Sequence, residues 1–102
     1  MNRFDIYDAQ FEWGGCDDRR PWLIVETQAN NRVGCFPISG QSYRGTPFFI
    51  SEKDPDFKAT GLKKNCFVHD ERVIELSVDI LIKHRGRLEN DLLKRFRSHC
   101  GI

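Results

Sequence analysis

The chain has 102 residues, 39% of them hydrophobic, which suffices for one domain around one modest core and leaves no room for a second. Sixteen basic against fifteen acidic side chains give a formal charge of +1, so whole-molecule charge cannot attract a polyanion and any nucleic-acid site must come from local clustering. No apolar run approaches the roughly twenty residues of a membrane helix, and the opening MNRFDIYDAQ carries acids where a secretory signal needs an apolar core. The expectation is a soluble, cytoplasmic protein with no membrane partner.

In chain order, period-two alternation marks a first strand over residues 4–11, where aromatic and aliphatic residues alternate with Asp5, Asp8 and Gln10. Residues 12–20, EWGGCDDRR, hold paired glycines and a charge cluster and read as an exposed loop. Trp22 to Val25 is continuously apolar, as in a strand covered on both faces, with Pro21 at its start where no ladder hydrogen bond is lost. Asn30 and Asn31 form a turn signal before a strand over 33–39, VGCFPIS, followed by the polar connection GQSYRGT. PFFIS resumes as a short strand. Residues 53–64 form a polar stretch, and 65–68 and 73–76 are further strands around His69, Asp70 and Glu71.

Near the end the period changes. Leu88, Leu92, Leu93, Phe96 and Cys100 recur at helical spacing, with Glu89, Asp91, Lys94, Arg95 and Arg97 on the other face. Acids near the start and bases near the end complement the helix dipole, and Gly101 stands where a helix stops. The expected fold is mainly β: a single domain over 1–102, a small SH3-like antiparallel β-barrel or curled sheet with a C-terminal α-helix.

The four cysteines, Cys16, Cys35, Cys66 and Cys100, form no CxxC pair, which favours free thiols. Cys66-x-x-His69 and His99-Cys100 are donor pairs, but they lack the two tight knuckles of a structural zinc site. Neither a metal nor another cofactor is expected.

Together, the aromatic-rich first strand, the glycine-bearing loop, Arg20-Pro21 before an aliphatic strand, Pro37-Ile38-Ser39-Gly40 and Pro47-Phe48-Phe49 resemble, in their order, the MazF/PemK family of bacterial toxins. Asp70 is similar to the aspartate that opens the family's Asp-Gln segment, with Val73-Ile74-Glu75 where the family has Arg-Thr-Ile-Asp. The likeness covers nearly the whole chain. It implies a metal-independent endoribonuclease of a type II toxin-antitoxin system that cuts single-stranded RNA through a 2′,3′-cyclic phosphate. It also implies a homodimer held inactive by a cognate antitoxin protein. Ser39 takes the place of a family threonine, keeping the hydroxyl without the methyl that limits its rotamers, and Val68 stands near where some members carry an arginine.

Such a reaction needs a 2′-hydroxyl activated, charge on phosphorus stabilised and the leaving 5′-oxygen protonated. Arg20, held by Pro21 at a strand mouth, offers a planar fork to two phosphate oxygens, and Ser39 positions phosphate. His69, Asp70 and Glu71 are the candidates for moving the proton: an imidazole titrates near neutrality, whereas Asp70 has the family's position. Trp13 and Tyr43, in the loops flanking the site, are placed to stack on unpaired bases. Arg19, Gln41, Arg44, Lys63 and Lys64 complete the expected RNA contacts. Each has a plainer competitor: Arg19 and Arg20 against Asp17 and Asp18, Ser39 as a turn residue, Asp70-Glu71 as a hairpin tip.

The ends of the chain are similar to the gyrase poison CcdB, which shares the MazF fold, except that Cys100 stands where its terminal Trp-Gly-Ile has tryptophan. This gives the alternative: a non-enzymatic toxin binding DNA gyrase through the last helix. A family member without activity is a third possibility.

Overall fold

A computed structural model describes residues 2–13, 16–42 and 45–102, with the side chains of 11–13 and 16–19 outside the described set. Strands β1 (Asp5–Trp13), β2 (Cys16–Thr27), β3 (Arg32–Ser39) and β4 (Phe48–Ile50) precede the short helix α1 (Phe57–Thr60). Then come β5 (Cys66–Val68), β6 (Ile74–Ser77), a 3-10 turn (Val78–Ile80), β7 (Leu81–Arg87) and helix α2 (Asn90–Cys100). The sheet is antiparallel in the order β4-β5-β3-β2-β1-β7. One edge of β3 serves two partners: Arg32 to Cys35 pair with β6, while Ile38 and Ser39 pair with β5.

Both faces of the central strands are buried, which is why Trp22 to Val25 is apolar without alternation. Leu23, Val25, Phe36 and Ile38 face the main core with Ile6, Val68 and Phe96. Trp22, Ile24, Val33 and Cys35 pack on the other side with Ala9 and Leu76. Helix α2 closes the main core through Leu92 and Phe96. The fully buried Phe96 ring meets Phe4, Phe36 and Phe48 edge-on at 6.1, 6.2 and 5.2 Å, a geometry that adds to area burial. Gly101 ends the helix at φ 73°, and the Ile102 N–H reaches back to Arg97 O at 3.0 Å, the Schellman closure. Asn30 and Asn31 both have positive φ, 63° and 58°, as a tight turn twisted to suit the β2–β3 hairpin requires.

Three expectations need correction. Of the expected loop over residues 12–20, residues 12, 13 and 16–20 are strand: β1 runs to Trp13, β2 begins at Cys16, and the two pair through Glu12↔Asp17 and Trp13↔Cys16. A hairpin arm is held by backbone hydrogen bonds and so tolerates charged residues. Pro21 therefore lies inside a strand, opposite Asp8, and is accommodated because pairing with β3 starts only at Trp22↔Pro37. Secondly, the polar stretch 53–64 contains helix α1. Thirdly, β7 was not expected, since LIKHRGR is rich in charge; it forms by pairing with β1.

Two glycines bring α1 against β7. A Cβ on Gly86 would strike the carbonyl oxygen of Ala59, and one on Gly61, at φ 70°, that of Arg85. This close approach sets the segment after α1, Leu62 to Lys64, beside Arg85.

Candidate active site

The register of the sheet assembles one row of side chains. Trp22 lies opposite Pro37, so two residues further along the same face Arg20 falls in line with Ser39. Ser39 pairs with Phe67, and Phe67 with Phe49. Opposed residues of an antiparallel pair share a face, so Arg20, Ser39, Phe67 and Phe49 form one row across four strands. Beside it, the His69 N–H bonds to Pro37 O at 2.9 Å and carries the imidazole onto this face.

Ser39 Oγ sits 2.7 Å from His69 Nε2. The same hydroxyl lies 3.0 Å from Gln41 O and 3.4 Å from Gln41 N. A hydroxyl has one proton: if it goes to Gln41 O, His69 Nε2 donates to Ser39, and if it goes to His69, the ring nitrogen accepts. The pair is thus built to hold a proton on either atom. Arg20 is exposed, as a phosphate-binding cation must be. Phe49, 43% exposed, stacks obliquely on Phe67 with ring centroids 5.1 Å apart.

Adjacent to Ser39 opens a cavity of about 200 Å³ lined by Lys63, Lys64, Gly40 and Arg85 among others. Gln41 is exposed and contributes its backbone to Ser39. Tyr43 and Arg44 lie outside the described residues, as do the side chains of Trp13 and Arg19.

Asp70 is not brought to Ser39 and His69. As the next residue along an extended segment it turns toward helix α2, where Cys100 Sγ donates to Asp70 Oδ2 at 3.3 Å and His99 Nε2 lies 3.2 Å from the same oxygen. These three line a separate cavity of about 570 Å³ with Arg3 and Glu26. Burial, then the Asp70 hydrogen bond and charge, push the Cys100 thiol up to about 12. Burial also raises the Cys66 thiol, against the opposing charges of Lys64 and Arg85. Its Sγ donates to Lys64 O at 3.1 Å, so Cys66 and His69 do not converge. Among the described residues, no three His, Cys, Asp or Glu side chains cluster as a metal site would require.

Three residues of this region escaped the sequence reading: Phe49, Phe67 and Arg85. The doublet Phe48-Phe49 within one strand is the signal that could have found the first, since neighbours on a strand face opposite ways and one of them had to be outward. Arg85 had no such signal, because β7 was not expected.

No protein-family model matches the chain. A segment of 66 residues, 65% of the chain, is 36% identical to mouse myoferlin, of whose length it spans 3%. Over 99% of the chain and 91% of the other, the structure matches an endoribonuclease in complex with its cognate antitoxin from a mycobacterial species, with a TM-score of 0.69 and 17% sequence identity. The chain has the fold of that endoribonuclease: a curled antiparallel sheet with a C-terminal helix.

Proposed function

We propose that this chain is a toxin-type endoribonuclease of the MazF/PemK kind, cutting single-stranded RNA without a metal. The observation that carries the reading is the 2.7 Å contact between Ser39 and His69 on the sheet face that also carries Arg20. His69 takes the proton of the ribose 2′-hydroxyl as that oxygen attacks phosphorus. The P–O5′ bond breaks, a 2′,3′-cyclic phosphate forms, and the departing 5′-oxygen takes its proton from water. Arg20 binds the phosphoryl oxygens, where negative charge grows in the transition state. Ser39 holds the imidazole in place by accepting from His69 Nε2–H, which leaves its single proton for phosphate. Asp70, engaged with His99 and Cys100, anchors the segment that presents His69. The fold shared with an endoribonuclease that is complexed to its antitoxin supports an antitoxin partner here, and the resemblance to the MazF/PemK family supports a homodimer.

The test is incubation of wild-type and Arg20→Ala protein with a long single-stranded RNA in EDTA, mapping the cut ends. Discrete cuts with cyclic-phosphate ends, lost in the variant, are expected. Intact RNA in the presence of folded wild-type protein overturns the reading, and binding to gyrase, lost on trimming the last three residues, would then identify a CcdB-like poison.

A further inference from the structure

The cavity beside Ser39 has an apolar floor of Pro21, Ile38, Leu62 and Cys66 and a cationic rim of Lys63, Lys64 and Arg85. Arg85 is held rigidly: Nε donates to Asp8 Oδ1 at 2.8 Å and Nη1 to Gly61 O at 3.1 Å. Nη2 has no partner among the described residues. An apolar slot with donors and, among its described lining residues, no carboxylate suits a flat, neutral ring carried on a phosphate chain.

We propose that this cavity is a base-recognition subsite: one unstacked base of the RNA enters the slot, its flanking phosphates meet Lys63 and Lys64, and Arg85 Nη2 donates to an oxygen on the base edge. The proposal rests on the endoribonuclease reading and names the residues that select its substrate. Because Arg85 only donates, the subsite accepts bases that present a carbonyl oxygen. Guanine, uracil and cytosine do; adenine offers N1 and N7, each beside its N6 amino donor. Donor set against donor in a sheltered slot is costly, so the subsite discriminates against adenine by about tenfold or more.

Gly40 supplies a plug that spares the core. A Cβ built on it meets only the flexible end of Lys64, Cε at 3.5 Å and Nζ at 3.6 Å, so Gly40→Phe displaces a mobile lysine and fills the mouth of the cavity. Two measurements decide the matter. In the first, isotope-labelled protein is titrated with GMP and AMP while the amide signals of Gly40, Leu62 and Lys64 are followed. GMP is expected to shift them, AMP at least tenfold more weakly, and Gly40→Phe is expected to abolish the response. Equal response to both nucleotides, or shifts confined elsewhere, overturns the proposal. In the second, cut sites of wild type and Gly40→Phe are mapped on one RNA. Loss of bias against adenine beside the cut is expected in the variant. An unchanged bias in an active Gly40→Phe enzyme overturns the subsite and leaves the nuclease reading standing, whereas wild-type protein that neither cuts nor binds RNA overturns both.

Discussion

Ser39 Oγ and His69 Nε2 lie 2.7 Å apart although thirty residues separate them in sequence; the pairing of β3 with β5 joins them. If His69 moves the proton, His69→Gln lowers the RNA cleavage rate by about 10²-fold or more. Ser39→Ala costs less, about tenfold, and Ser39→Thr retains most activity because the hydroxyl remains. Single-turnover rates in EDTA across pH 5 to 9 check this.

The ion pair between Asp8, 8% exposed in its side chain, and Arg85, 24% exposed, is largely sheltered at 2.8 Å. Asp8→Ala leaves a half-buried guanidinium without its carboxylate and should cost about 2 kcal/mol, less than a fully buried pair would. Urea denaturation measures the loss. Because Asp8 also fixes the plane of Arg85, the same variant should blur base preference at the cut.

Gly86→Ala should destabilise by on the order of 3 kcal/mol, since its Cβ meets the backbone of Ala59 and Thr60 rather than a flexible side chain. Gly101→Ala is the control. Nothing lies within 4 Å of its Cβ, so only the left-handed φ is strained and about 1 kcal/mol is expected. Thermal melts of the two variants separate close approach from conformational preference.

Cys35 is fully buried, and burial pushes its thiol from an ordinary 9.0 to about 12. The sign follows from linkage: below pH 9 both states hold the proton, while between 9 and 12 the unfolded chain releases it and the folded chain does not. This contribution to stability is therefore lost as pH rises through that window, at about 1 kcal/mol per pH unit. Urea midpoints at pH 8 and 10 should show a smaller drop for Cys35→Ala than for wild type. Native Cys35 should also resist alkylation at pH 8.

Much of this architecture is legible in the sequence because burial imposes its own pattern. The run Trp22 to Val25, the Asn30-Asn31 turn and the helical spacing of Leu92, Leu93 and Phe96 all reflect which side of the backbone meets the core, although Leu88, expected in the helix, lies just before it. The β1–β2 arm and β7 were illegible for the converse reason: their order comes from partner strands, so their side chains carry charge and no apolar signature. The contact of Ser39 with His69 depends on register between distant strands, which periodicity does not report. Asp70 and His69 are indistinguishable as proton carriers in a string of letters. Their alternation along an extended backbone sends one to the sheet face and the other to the helix.

The edge of β3 shared by β5 and β6 has a further consequence. From Val68 to Ile74 the chain advances six residues, while their partners Ile38 and Cys35 are three apart. The surplus forms a strap that bows away from β3, and on that strap Asp70 reaches α2 just after His69 makes its backbone bond to Pro37. The length of this strap is accordingly as constrained as its composition. Removing one residue would either pull His69 off Ser39 or slip β6 by one, turning Leu76 outward. Across natural variants of this chain, insertions and deletions should be absent from this strap.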